Sequence, residues 1–231
     1  MTDYTLYYWP VPFRGQFVRS VLAHVHATWD EAGTEDIASL MHEPTGEQPV
    51  PHMAPPVLTD HATGLSFAQM PAILAYLGRA HALIPGDAPR EALTHKVIAD
   101  ANDVLYEMTR YNGARMWTPD TWDAFRPRLS RWMKIFEETG RRHGLTVGAG
   151  YLLGTKTPSL ADLVVQSLWG TMTARLTPLR AMLDEMAPAT VALSDRIAAL
   201  PEQAALNSRN DSEYGDAWCG GQIEASLRAV L

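Results

Sequence analysis

The chain has 231 residues, room for one large domain or for a small domain followed by a larger one. Its composition, 46% apolar and 19% charged, is that of a folded chain and excludes wholesale disorder. Nineteen Lys and Arg against 26 Asp and Glu leave a net charge of −7, which argues against a phosphate backbone or an anionic membrane surface as partner.

In chain order, Tyr4 to Trp9 (YTLYYW) is rich in strand-forming aromatic residues and stops at Pro10, so it reads as a short strand. The stretch PVPFRG follows as a loop, and Phe17, Val18, Val21, Leu22 and Val25 then recur at helical spacing. Thr28 to Asp30 reads as a second strand and Asp36 to His42 as a short helix. After the Pro-studded stretch from Pro44 to Pro56, the runs Pro56–Thr59 and Leu65–Phe67 flank a Gly-containing turn and predict a hairpin. Gln69 to Gly78 closes the region as a helix with Met70, Ile73, Leu74 and Leu77 on one stripe. The predicted order is β-α-β-α-β-β-α.

Pro85, Gly86, Asp87 and Pro89 mark a linker, and beyond it the pattern is helical throughout. Leu93, Val97, Ala101, Val104, Leu105 and Met108 form one apolar face; Phe125, Leu129, Trp132 and Phe136 form another. A third helix opens at Ser159, where the run from Thr157 to Asp162 has the form of a capping box. Ser159 is placed to accept from the Asp162 N–H, and the Asp162 carboxylate to accept from the Ser159 N–H. Shorter helices are expected near 179–186 and 188–200. The predicted organisation is residues 1–80, a linker at 81–90, and an all-helical region at 91–231.

No apolar run is long enough to cross a membrane, since the most apolar segment, Leu160 to Leu176, contains Asp162, Gln166 and Arg175. The N-terminal stretch carries Asp3 where a secretory signal carries bases, and its apolar run breaks at Pro10. The single cysteine, Cys219, forbids an intrachain disulfide and a Cys-rich metal site, and reads as a bystander. The eight histidines show no metal-ligand spacing. The expectation is a cytoplasmic protein with no metal, no nucleic-acid partner and no membrane partner.

Three stretches together resemble the glutathione transferase superfamily. Tyr8-Trp9 followed by Arg14-Gly15 is similar to the start of the mu and pi classes, with a longer PVPF segment. Ala54-Pro55-Pro56-Val57-Leu58 followed by Gln69-Met70-Pro71 resembles the cis-proline strand and the next helix start. Pro158-Ser159-Leu160-Ala161-Asp162 is similar to the capping box of the second domain. The resemblance implies an α+β, thioredoxin-like N-terminal domain followed by an all-α helical bundle. It further implies glutathione as co-substrate, a small electrophile, a homodimer and a role in detoxification.

Such chemistry needs glutathione as its thiolate, because the thiol is a poor nucleophile. Lowering a thiol pKa by ~2 units means stabilising the thiolate by roughly 2.7 kcal/mol, about the size of one hydrogen bond to a charged sulfur plus a helix N-terminus. Tyr8 is the candidate donor, since a phenol keeps its proton at neutral pH. The other reading is an aromatic strand residue that simply packs. Tyr7 is the rival, but strand alternation turns it to the opposite face. Pro10 to Gly15 contains neither Ser nor Cys, so a mechanism based on either is disfavoured.

By the resemblance, Trp9 and Arg14 meet a glutathione carboxylate, although Trp9 can equally pack and Arg14 can pair with an acid. Pro56 is the expected cis-proline, and Pro55 before it has no N–H to give the glutathione backbone, unless Pro55 itself is cis and Ala54 donates. Gln69 and Met70 open a helix whose bare N–H groups suit the γ-glutamyl carboxylate. Met70 stands where the superfamily has serine and lacks its hydroxyl, a loss of ~1 kcal/mol or about five-fold in affinity. Asp100 and Asp103 are candidates to face the γ-glutamyl ammonium of the partner subunit, or else belong to a solvated face. Pro12, Tyr106, Arg110 and Tyr111 are candidates for the electrophile pocket. His42 or His52 could meet the glycyl carboxylate, or be surface histidines. The rival functions are a non-catalytic binding or regulatory protein of the same fold, and a glutathione-dependent peroxidase or isomerase.

Overall fold

The structure, a computed structural model, describes residues 2–231. Strand β1 (Tyr4–Tyr7) pairs in parallel with β2 (Trp29–Glu31) and antiparallel with β3 (Val57–Asp60), which pairs antiparallel with β4 (Leu65–Ala68). The sheet order is β2-β1-β3-β4, and Leu6 stands opposite both Glu31 and Leu58. Helices α1 (Phe13–His24), α2 (Thr34–His42) and α3 (Met70–Ala80) complete this half.

β1 is shorter than the sequence suggests. It ends at Tyr7, yet the alternation continues: Tyr4, Leu6 and Tyr8 are buried while Thr5, Tyr7 and Trp9 are partly exposed. Helix α1 begins at Phe13, inside the stretch expected to be loop, because Pro12 presents its carbonyl to the Gln16 N–H at 2.7 Å. The Trp9–Pro12 segment is held from beneath by the fully buried Arg19. Its guanidinium pairs with Glu31 at 2.8 and 2.9 Å and donates to the Val11 carbonyl at 2.9 Å. The hairpin turn is tied at Asp60, which accepts from the Ala62 N–H at 2.8 Å and from the Tyr76 hydroxyl.

The rest of the described chain is helical. Helix α4 (Ala88–Met108) starts within the span 81–90, capped by Asp87 on the Arg90 N–H at 3.0 Å. A four-residue segment, α5 (Arg110–Gly113), is a left-handed turn: Arg110, Tyr111 and Asn112 have φ of 49°, 66° and 55°. Helix α6 (Pro119–Arg142) buries Leu129, Met133 and Phe136. Then α7 (Leu160–Val165), a π-helical turn (Gln166–Gly170) and α8 (Thr171–Arg175) form one rod, buried almost all round through Trp169. Helices α9 (Pro178–Met186) and α10 (Pro188–Ala198) follow as expected.

Two further helices, α11 (Pro201–Tyr214) and α12 (Gly221–Arg228), have no counterpart in the apolar pattern. The buried face of α11 is Gln203, Leu206 and Asn210, so the seam is polar and periodicity cannot see it. That face packs on α1 through buried hydrogen bonds. Ser20 Oγ donates to Gln203 Oε1 at 2.9 Å, Gln203 Nε2 to the Ser20 carbonyl at 2.8 Å, and Asn210 Nδ2 to Gln16 Oε1 at 2.7 Å.

The chain after α11 folds back onto the start of α1. The Phe13 N–H donates to the Trp218 carbonyl at 3.1 Å, and the two rings meet edge to face. Glu224 holds this return: its Oε2 accepts from the N–H groups of Trp218, Cys219 and Gly220 at 2.9, 2.7 and 2.6 Å. Burial opposes its ionisation, but the Gly220 N–H, Arg228 and the other two N–H groups outweigh it and hold the carboxyl below its usual pKa. The folded carboxyl therefore gives its proton up more readily than the unfolded one. Its stabilisation is complete above the ordinary carboxylate range and is lost as pH falls through the folded value. Glu224→Gln is expected to lower stability at neutral pH, with the gap to the wild type closing in acid. Denaturant titrations at several pH values check this, and a gap that widens on acidification contradicts it.

Candidate functional site

Between the N-terminal sheet and α4 lies a cleft of about 440 Å³. Of the residues expected at a site, Tyr8, Trp9, Arg14, Pro55, Pro56, Gln69 and Tyr106 line it. They arrive from five places in the sequence: the end of β1, the start of α1, the approach to β3, the start of α3, and α4.

Tyr8 occupies the floor. Its ring lies against α1 where Gly15 leaves room; a Cβ there would overlap the ring and stand 2.8 Å from Arg19 Nη1. The Tyr8 hydroxyl accepts the Arg14 N–H at 3.2 Å, so the first turn of α1 points at the phenol oxygen and the phenolic proton is free to be donated elsewhere. Burial pushes the Tyr8 pKa up to about 12, against the opposing pull of Arg14 and Arg19, so the group stays protonated at neutral pH. The side chain is only 5% exposed and packs with the core, while the residue also borders the cleft.

Arg14 has no carboxylate within ion-pair distance among the described residues, which removes the expected pairing with an acid. Its guanidinium lies 4.8 Å from the Phe13 ring centre, at the cleft wall, and burial lowers its pKa. An unpaired cation there is suited to an anionic group of a ligand. Opposite it, the Pro55–Pro56 bond is cis, with Pro56 as expected, and Gln69 adopts φ 71° at the N-cap of α3.

Six expected residues are elsewhere. Met70 is buried at 1% exposure in the core beneath α3, so its side chain does not reach the cleft. Pro12 is buried at the N-cap of α1, and its neighbours Val11 and Phe13 line the wall instead. Asp100 is engaged by Lys96 one turn before it on α4, and Asp103 is exposed. Arg110 and Tyr111 are carried by the left-handed turn to a separate depression, where Arg110 stands 4.8 Å over the Trp117 ring. The histidines fall outside too: His42 is exposed, and His52 Nδ1 is bonded to the Val50 carbonyl at 2.8 Å.

The sequence reading missed Asn102, Thr109, Asn112, Met53, Cys219 and Ile223. Asn102 and Thr109 share a helical face with Tyr106, at four and three residues' distance, so their placement was implicit once Tyr106 was chosen. Cys219 and Ile223 gave no such signal, because only the fold-back held by Glu224 brings them to the cleft. Burial and the nearby Glu224 push the Cys219 thiol up to about 12, which leaves little thiolate at neutral pH. Iodoacetamide is expected to alkylate Cys219 in the folded protein at least ten-fold more slowly than a free small thiol. Mass spectrometry of timed samples measures this, and labelling as fast as the free thiol contradicts it. Among the described residues no group of three or more His, Cys, Asp or Glu is arranged to hold a metal, and no helix is long and apolar enough to cross a membrane.

A small mixed sheet with a cis-proline ahead of β3, an anion-suited helix start and an attached helical half define a thioredoxin-like fold joined to a helical region. The family described as glutathione S-transferase, C-terminal domain, matches residues 93–230, and the chain belongs to the glutathione S-transferase family. Among solved structures it is similar to NaGST-2, at TM-score 0.67 and 20% identity, covering 90% of this chain and 97% of that one. It is equally similar to prostaglandin synthase D of Nilaparvata lugens, at TM-score 0.67 and 20% identity, covering 90% and 98%. At that identity the likeness speaks for the fold alone. No curated protein matches the chain by sequence.

Proposed function

We propose that the protein is a glutathione transferase that holds the glutathione thiol as thiolate for attack on a small alkyl or aryl electrophile. The observation that carries this is the Tyr8 hydroxyl. It accepts the Arg14 N–H and keeps its own proton, and the residue borders a cleft of suitable size. In this reading the phenol donates to the sulfur, Arg14 and Trp9 face a glutathione carboxylate, and Gln69 with the N-terminus of α3 receives the γ-glutamyl end. Tyr106, Asn102 and Thr109 border the space left for the electrophile. A cytoplasmic homodimer working in detoxification belongs to the same reading and is supported by family membership.

Calorimetric titration with glutathione, followed by conjugation of a chlorinated aryl substrate, tests the proposal. Millimolar or tighter binding together with turnover supports it; no heat and no turnover at millimolar glutathione overturns it.

A non-catalytic binding protein is the second reading, favoured by Met70 and Pro55. Met70 brings no hydroxyl and is buried away from the cleft, and Pro55 has no N–H to pair with a peptide. Binding without turnover of any electrophile, peroxide or isomerisable substrate is the result that selects it.

A further inference from the structure

The left-handed turn between α4 and α6 serves two cavities. Thr109 and Asn112 line the cleft at Tyr8, whereas Arg110 and Tyr111 line a separate depression of about 270 Å³. Glu107 of α4, Trp117, and Phe125 and Arg128 of α6 complete that depression, and no lining residue is shared with the cleft. Arg110 and Tyr111 hold φ of 49° and 66°, a region in which bulky side chains are strained. Glycine would reverse the chain there without strain, as Gly113 does at φ 83°. The turn instead carries a cation and a ring, and its shape sets where both stand.

The charges of the depression do not cancel. Arg128 Nε donates to Glu107 at 2.7 Å, and Trp132 Nε1 donates to the same carboxylate at 3.0 Å, so that acid is fully engaged. Arg110 has no carboxylate within ion-pair distance among the described residues. Its Nε is sealed from water, but its two terminal nitrogens are not, and no described residue bonds them. Two arginines against one glutamate leave a positive charge over on the wall, in a chain whose total is −7.

The aromatic side chains give that charge a fixed setting. The Arg110 guanidinium stands 4.8 Å over the Trp117 ring centre, and stacking on an indole face leaves the planar fork free to meet a carboxylate. Trp117 is itself fixed, because its Nε1 donates to the Met108 carbonyl at 2.9 Å and its ring meets Trp122 edge to face. Tyr111, 47% exposed, and the partly buried Phe125 add two more rings to the same wall. A planar acid gains both a charge-assisted bond to Arg110 and ring contact. An ammonium meets the surplus cation, and a non-aromatic acid forgoes the ring contact. The volume lies just under the ~300–1,000 Å³ usual for drug-sized ligands, which suits one or two fused rings.

We propose that this depression binds a small aromatic carboxylate, with its acid group on Arg110 and its ring against Tyr111 and Phe125, independently of the cleft at Tyr8. Saturation-transfer NMR titrations of the full chain with 1-naphthoate, cyclohexanecarboxylate and 1-naphthylmethylammonium test it. The expected order of affinity is 1-naphthoate first, cyclohexanecarboxylate about five-fold weaker, and the ammonium weakest. Arg110→Gln should weaken 1-naphthoate at least ten-fold, as for the loss of a bond to a charged group, and Arg110→Lys by less. Tyr111→Leu, which keeps bulk and deletes the ring, should weaken it about five-fold. Arg14→Gln should leave it unchanged, and thermal unfolding verifies that each variant is folded. Transfer from no probe at millimolar concentration overturns the proposal. So does affinity lost in Arg14→Gln but kept in Arg110→Gln, which places the acid in the cleft. Equal or tighter binding of the ammonium or of cyclohexanecarboxylate overturns it too.

Discussion

Tyr8→Phe is expected to slow glutathione conjugation by about 10- to 150-fold, the loss that follows from removing one hydrogen bond worth ~1.5–3 kcal/mol to a charged group. The substitution takes away only the oxygen, and the ring keeps its place against Gly15. The Arg14 N–H, which donates to that oxygen at 3.2 Å, is left without it in the variant. Because the phenol stays protonated with a pKa near 12, it can stabilise the thiolate but cannot act as its base at neutral pH. The effect should therefore appear as a rise of about 1–2 units in the pKa of the bound thiol, followed by thiolate absorbance, with much less change in glutathione affinity. Equal rates in the two proteins, or an unchanged thiol pKa, would remove Tyr8 from the mechanism.

A comparable effect, on stability instead of rate, is expected from Asp162→Ala. The buried carboxylate accepts the Leu152 N–H at 2.7 Å through one oxygen, and the Ser159 N–H and hydroxyl at 2.8 and 2.7 Å through the other. Burial raises its pKa against these three bonds. Truncation strands the donors where water cannot replace the acceptor, at a cost of roughly 3–5 kcal/mol. For a chain of this size that corresponds to a fall in Tm of about 6–15 °C. The loss should spread beyond the helix end, because the N-terminus of α7 is tied to the other half of the molecule. The Leu160 N–H donates to the Leu83 carbonyl at 3.0 Å, and the Leu160 side chain packs where Gly78 of α3 leaves room. Asp162→Asn keeps one acceptor oxygen and should fall between the two. An Asp162→Ala protein melting within about 1 °C of the wild type would show that the box contributes nothing beyond its own turn.

Local chemistry wrote much of this molecule plainly. Aromatic and β-branched runs gave the strands, helical periodicity gave α1, α3, α4 and α6 to within a few residues, and Ser159 with Asp162 marked a helix start whose carboxylate bond is present. The resemblance carried by Tyr8–Trp9, Pro55–Pro56 and Gln69 pointed to residues that the structure brings to one cleft. Residues whose position depends on distant contacts were not legible. Met70 is the converse case: its place on the apolar stripe with Ile73, Leu74 and Leu77 was legible, and burial with that stripe is what takes it away from the cleft. Arg110 and Tyr111 continue the helical register on paper, yet a left-handed turn carries them out of the cleft.

Composition and periodicity thus determined the strand order's raw material and the helical second half, while the choice of the phenol at the end of β1 rested on the resemblance carried by Tyr8-Trp9. Tertiary structure alone decided that Cys219 reaches the cleft and that α11 packs on α1. The reason is that each of these is set by polar contacts between segments far apart in the chain. Gln203 with Ser20, Asn210 with Gln16, and Glu224 with three backbone N–H groups leave no apolar rhythm behind for a sequence to display.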